Sequence, residues 1–340
     1  MSLQERDLET VASLILSARK LWLTTHLKSD GDGVGCELAL LRALRSLGKD
    51  AKAINDTVVP KSLQFLRDSP DEILVYDPVR DDAFIRSADT AVVLDVGLPY
   101  RLGRLEKVFA ESSGAKVCVD HHLELDPAFT HVLADHAAGS TGEILFRLLK
   151  AVGVELDVRI ATPLFAAISV DTGSFSYERC TPQTFLAASE LVAAGADPYR
   201  IHMNLNWQRN LDEVKLEGEV IQNLQVDASG QIAYSEVSRD MLQRYVIDPM
   251  EMPTVVNVPL SLGGVEVALL FVEIEPSCIN VSARSKGRVL IDRLARRFGG
   301  GGHPLAAGFT IKGTLEQAKA WTLAAARELL ASPAGLCDTA

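Results

Sequence analysis

The sequence predicts an α/β protein in which a doubly wound parallel sheet is followed by a smaller α+β domain. Three observations lead there. The first half alternates short, continuously apolar β-rich runs with helical stretches, as expected of parallel strands covered on both faces. At 340 residues the chain can form two domains, each with its own core. From about Val220 strand-like runs return in succession, with two helical stretches only at the end, the order of an α+β domain.

The candidate strands of the first half are Leu21 to Thr25, Ala51 to Asn55, Glu72 to Tyr76, Thr90 to Val96 and Lys116 to Asp120. Between the first two, LALLRALRSLG has helical periodicity and ends on Gly48, a C-cap signal. Helices then dominate from about Ser140 to Ala194, in STGEILFRLLKAVG, DVRIATPLFAAISV and TPQTFLAASELVAAG. The pattern changes after Asp197, so the domains are expected at 1–196 and 219–340, with 197–218 a partly helical linker. The later strand candidates are QIAYSEV, VNVPLSL, VEVALLFVEIE and CINVSARS.

Composition narrows the function. A net charge of −11 (34 basic against 45 acidic residues) argues against a broad basic face for duplex DNA, but allows a short nucleotide held by a few local Arg and His residues. Cys36, Cys118, Cys180, Cys278 and Cys337 form no CxxC pair, so they read as reduced thiols that mostly fill cores. No apolar run approaches the roughly 18 residues of a membrane span. The acidic, amphipathic start MSLQERDLETVASLIL is unlike a secretory signal, and a cytoplasmic location is expected.

Acidic and histidine side chains recur at the carboxyl ends of the predicted strands, where open α/β sheets bind ligands. His26, Asp30 and Asp32 follow the first strand, Asp95 ends the fourth, and Asp120, His121 and His122 end the fifth. Asp171 follows an apolar helix. Singly, each has an ordinary explanation: DGDG is a good turn, a lone Asp a good cap. Together they would place several carboxylates side by side, which is unfavourable unless cations or protons neutralise them. Mixed carboxylate and imidazole donors suit Mn²⁺ and tolerate Zn²⁺, Co²⁺ or Mg²⁺. There are enough donors for two ions sharing one Asp, a pair suited to phosphoryl displacement. The glycines of DGDGVG are expected to give a flexible loop backbone around Asp30 and Asp32.

The motifs HLKSDGDGVGC, VVLDVG, VDHH and DTGSF, with GGGGHPLAAGF near the end, resemble in order and spacing the DHH/DHHA1 phosphoesterase family. The likeness runs from about Leu21 to Ile311. It implies a DHH catalytic domain joined by a linker to a smaller DHHA1 domain, with the active site in the cleft between them. One metal would be held by His26, Asp30 and Asp95, the other by Asp32, Asp95, His121 and Asp171, with Asp95 as the bridge. Asp120 would orient a ligand imidazole from behind it, and His122 would face the substrate phosphate as a possible acid. In the second domain Arg284, Ser285, Gly301, Gly302 and His303 would bind the substrate's terminal phosphate or nucleotide. Cys36 stands where the family usually has Ser. The stretch SYERCTPQTF departs from the family pattern, so no role is carried to Tyr177 or Arg179.

Within the family, a compact chain with both domains looks most like the nanoRNase group. The resemblance thus implies a Mn²⁺-dependent hydrolase of short oligoribonucleotides, in which a hydroxide between two ions attacks phosphorus. The alternatives are a phosphomonoesterase acting on 3′-phosphoadenosine 5′-phosphate, a cyclic-dinucleotide phosphodiesterase, and a non-catalytic nucleotide-binding regulator. A homodimer is compatible with the resemblance, and no membrane partner is expected.

Overall fold

The computed structural model describes residues 3–249 and 255–331, in two units, Met1–Gln208 and Arg209–Ala340. The first unit is built on six strands: β1 (Lys20–Thr24), β2 (Asp50–Asn55), β3 (Ile73–Val75), β4 (Thr90–Leu94), β5 (Ala115–Asp120) and β6 (His131–Ala134). All neighbouring pairs are parallel, in the order β3-β2-β1-β4-β5-β6. The chain therefore winds outward twice from the centre, and its direction of winding reverses between β1 and β4. Strand β6 lies beyond the five that apolar runs reveal. It has four residues, mostly half-buried at the sheet edge, so its hydrophobic signal is weak.

The helices of this unit are α1 (Leu3–Ser17), α2 (Gly31–Ser46), α3 (Pro78–Arg86), α4 (Leu105–Glu111), α5 (Thr141–Val152), α6 (Val158–Asp171), α7 (Pro182–Ala193) and α8 (Pro198–Asn206). Alternating strand residues feed two cores. Leu21 and Leu23 join the layer containing α1, α2, α5 and α6, while Trp22 enters the opposite layer with Phe84, Val108 and Phe109. Both sheet faces are thus covered, which accounts for the near-continuous apolar strands.

The second unit contains α9 (Leu211–Gln222), α10 (Arg239–Arg244), α11 (Asn257–Leu260), α12 (Ile291–Arg297) and α13 (Leu315–Ala331). Its strands are β7 (Gln225–Val226), β8 (Ile232–Val237), β9 (Val267–Glu275), β10 (Cys278–Ser285), β11 (Gly301–His303) and β12 (Ala306–Lys312). They form a mixed sheet in the order β11-β12-β10-β9-β8-β7, parallel only between β8 and β9. The run VNVPLSL is not a strand: it holds α11, where Val258 N donates to Val255 O. Pro259, which has no N–H for a ladder, fits a short helical turn. Cys36 and Cys118 are buried, and Cys180 and Cys278 half-buried, as unpaired thiols; Cys337 lies outside the described residues. No helix among the described residues is long and apolar enough to cross a membrane.

Candidate metal centre

The carboxyl ends of β1, β4 and β5 converge with the start of α2 and the end of α6. His26 lies two residues beyond β1, and Asp95 directly follows β4, so the two flank the point where the winding reverses. Asp120 ends β5, with His121 and His122 next in sequence. Asp30 caps α2: its Oδ1 accepts from the backbone N–H groups of Asp32 and Gly33 at 3.0 and 3.2 Å. Asp32 is in the first turn of α2, and Asp171 is the last residue of α6.

The glycines of DGDGVG are therefore helical, and a flexible loop is not their role. They permit close approach. A Cβ on Gly31 would come within 2.5 Å of Val170, one on Gly33 within 2.4 Å of Thr25 Oγ1, and one on Gly35 within 2.4 Å of the Pro163 carbonyl oxygen. Antiparallel α2 and α6 thus pack with almost nothing between them where they carry Asp32 and Asp171.

The structure gathers the acidic and imidazole residues of this unit into three overlapping groups, one of them Asp95, Asp120 and His122, with His122 Nδ1 3.7 Å from Asp95 Oδ1. In Asp32, Asp95, His121 and Asp171, one donor atom from each lies within 4.8 Å of the others, and the same holds for His26, Asp30 and Asp95. Asp95 belongs to both, and its two oxygens are divided between them. Oδ2 is 3.4 Å from His26 Nε2, whereas Oδ1 is 3.7 Å from His121 Nε2. The backbone of Asp95 is left-handed, with φ 61°, a conformation Asp tolerates better than most residues.

Backbone carbonyls fix which imidazole nitrogen faces the group. Nδ1 of His26 meets the Leu27 carbonyl at 2.8 Å and Nδ1 of His121 meets that of Ala138 at 3.3 Å, which turns Nε2 toward the carboxylates in both. Asp120 contacts His122. Its Oδ1 accepts from the backbone N–H of His122 at 3.0 Å and pairs with His122 Nδ1 at 2.7 Å. The turn of the chain after β5 carries the second His back over the carboxylate.

Burial and mutual charge shift several of these groups far from their ordinary values. Burial pushes the Asp32 carboxyl well up from its ordinary value, and the charges of Asp95, Asp171 and Asp30 add to the effect. Burial, chiefly, carries Asp171 up to about 6. Burial works against protonation of His26, but the carboxylates of Asp30 and Asp95 outweigh it and raise the imidazole to about 10. His121 reaches about 9 by the same contest, with Asp171 and Asp95 prevailing over burial. This donor set, hard carboxylate oxygens with imidazole nitrogens, fits a divalent cation, which would displace the imidazole protons.

Two contributors carry no sequence motif. Both oxygens of Asp32 accept backbone N–H groups from the start of α5, Oδ2 from Thr141 at 2.6 Å and Oδ1 from Gly142 at 2.9 Å. Thr141 Oγ1 also donates to Asp95 Oδ1 at 3.0 Å. On α2 itself, the fully buried Glu37 accepts from Asn55 Nδ2 at 2.6 Å, and burial lifts its carboxyl to about 8. The sequence signal available for Thr141 was Ser140 before a helical run, which reads only as a cap.

In the second unit, β10, β12 and β11 place Arg284, Ala306 and His303 in one cross-strand row, and Ser282, Gly308 and Gly301 in another. Directly paired residues point to the same face of a sheet, so Arg284, Gly301 and His303 share a half-exposed face paved with small residues. Gly302 and Ser285 lie on the other face. Gly302, at φ 143°, faces Ala307, and a Cβ there would come within 2.5 Å of the Ala306 carbonyl oxygen. Ser285 is buried and donates to Glu266 at 3.0 Å.

A carboxylate-rich centre at the switch point of a doubly wound sheet, followed by a mixed-sheet unit with a glycine hairpin, defines a phosphoesterase of the DHH/DHHA1 class. The family models agree, with the DHH family N-terminal domain matching residues 20–168 and the DHHA1 domain matching 229–332. The chain belongs to this family. It is 31% identical over 312 residues to the bifunctional oligoribonuclease and PAP phosphatase NrnA of Thermus thermophilus, covering 91% of this chain and 90% of that one. It is 30% identical to the protein of the same name from Bacillus subtilis, over 85% of this chain and 88% of that one. Among solved structures, an exopolyphosphatase-related protein from Bacteroides fragilis superimposes with a TM-score of 0.90 at 27% identity, covering 95% of this chain and 96% of that one.

Proposed function

We propose that this phosphoesterase hydrolyses very short oligoribonucleotides, dinucleotides foremost, with two divalent ions, Mn²⁺ above all. The observation that carries the proposal is the pair of donor groups sharing Asp95, with one of its oxygens turned to each. His26, Asp30 and Asp95 would hold one ion; Asp32, Asp95, His121 and Asp171 would hold the other. When bound, such a pair supplies a water-derived nucleophile at neutral pH and neutralises charge on the phosphoryl oxygens.

The chain's own residues supply the rest. Asp120 holds Nδ1 of His122, so the opposite nitrogen, Nε2, is the atom that would give a proton to the leaving oxygen. Arg284, Gly301 and His303 would receive the nucleotide's terminal phosphate, with Ser285 and Gly302 keeping the hairpin in shape. The relatives' names support an oligonucleotide substrate, and a net charge of −11 suits a short one better than a long polyanion. The same names favour a second reading, removal of phosphate from 3′-phosphoadenosine 5′-phosphate, since a monoester offers the same phosphoryl group to the same ligands.

The test is purified protein with Mn²⁺ against diribonucleotides, longer RNAs, cyclic dinucleotides and 3′-phosphoadenosine 5′-phosphate, with products resolved by mass. Diribonucleotides should be converted to mononucleotides fastest, and excess chelator should stop the reaction. Faster cleavage of long RNA, or activity undiminished by chelator, would refute the proposal.

A further inference from the structure

We propose that Thr141 is a positioning residue that sets how Asp95 divides its oxygens between the two metal subsites; this rests on the metal-dependent reading above. Thr141 is fully buried and opens α5. Its hydroxyl donates to Asp95 Oδ1, the oxygen that faces His121, leaving Oδ2 for His26. Its amide donates to Asp32, which belongs only to the His121 group. One residue therefore grips both the shared ligand and a ligand of a single subsite.

The grip is braced from behind. Ser140 Oγ accepts from the Glu143 N–H at 3.2 Å and fixes the first turn of α5. The Glu143 carboxylate in turn accepts from Thr184 Oγ1 at 2.7 Å. Gly142 lies so close to α6 that a Cβ would come within 2.9 Å of the Ala167 methyl. Thr141 cannot drift away from the carboxylates without moving a helix end held at three points.

A carboxylate whose two oxygens serve different ions must hold one rotation about its terminal bond. The hydroxyl supplies that restraint on the Oδ1 side, and losing it frees Asp95 to turn both oxygens toward one subsite. The expected result is uneven loss of metal, greatest in the His121 group, where Thr141 touches two of the four donors.

Thr141→Val removes the hydroxyl while keeping shape and amide; Thr141→Ser keeps the hydroxyl. The full-length, metal-stripped proteins are titrated with Mn²⁺ by calorimetry, and bound ions are counted by electron paramagnetic resonance. Wild type should bind two ions. Thr141→Val should weaken one of them by about 10–100-fold, the range for residues that orient metal ligands, and Thr141→Ser should stay within about threefold of wild type. Should the valine variant fail to fold, Thr141→Ala serves in its place against the same serine control. Unchanged binding of both ions by the hydroxyl-free variant would overturn this proposal alone, as would equal losses in valine and serine variants. Wild-type protein that binds no divalent ion would overturn the metal-centre reading with it.

Discussion

The sharpest perturbation of the centre is Asp95→Asn. Asparagine is nearly isosteric and also tolerates the left-handed backbone at φ 61°, so the variant removes charge with little added strain. Asp95 oxygens lie 3.4 Å from His26 Nε2 and 3.7 Å from His121 Nε2, so each donor group loses its shared negative charge. A unit charge acting on another at about 3.5 Å, with an effective dielectric of about 20, is worth about 5 kcal/mol. Because each 1.36 kcal/mol is tenfold, that corresponds to roughly three and a half powers of ten. Turnover of a diribonucleotide with Mn²⁺ should therefore fall by at least about 10³-fold, together with Mn²⁺ affinity measured on metal-stripped protein. If Asp95→Asn retained turnover within tenfold of wild type, a centre built on a shared carboxylate would be refuted.

Further expectations concern stability and substrate binding. Glu37 has its carboxyl raised to about 8 in the folded chain, so its contribution to stability is full below the ordinary carboxyl pKa and is lost as pH rises toward 8. The loss runs at about 1.4 kcal/mol per pH unit, and Glu37→Gln should abolish that part of the slope; parallel melting curves for the two proteins from pH 5 to 8 would contradict it. Gly35→Ala would force a methyl within 2.4 Å of the Pro163 carbonyl and 2.9 Å of the Ala167 methyl. It should cost about 1–3 kcal/mol, visible as a lower midpoint in chemical unfolding; an unchanged midpoint would show that the helices can separate freely. Arg284→Ala should raise KM for a dinucleotide more than for bis-p-nitrophenyl phosphate, which lacks a second nucleotide. Equal effects on both substrates would remove Arg284 from nucleotide binding.

Much of the fold was legible because it depends on local chemistry. Continuous apolar runs such as TAVVL mark strands buried on both faces, and the Asp and His residues at their ends stand out against them. The edge strand His131–Ala134 was not legible, since short, half-buried edges need little hydrophobic patterning. VNVPLSL misled because its β-branched content favours a strand, while its proline suits a short helical turn. Within the site, the motifs point to the carboxylates but not to what steadies them. Thr141 bonds Asp32 across 109 residues of chain, and no local spacing encodes such a contact. Asp120 and His122 were nameable from VDHH, yet their pairing depends on the path of the turn after β5.

The bare contact between α2 and α6 has a consequence for evolution and engineering. Asp32 and Asp171 project from the adjoining ends of two helices whose separation is set by Gly31 and Gly35 against Val170, Pro163 and Ala167. The helix pair thus works as a gauge block, and the spacing between these two carboxylates is inherited from the backbone. If Asp32 and Asp171 hold a cation as proposed, side-chain bulk along this seam would bear on its choice without any change of ligand. A homologue that carries alanine at position 31 or 35 would be the place to look for a different cation.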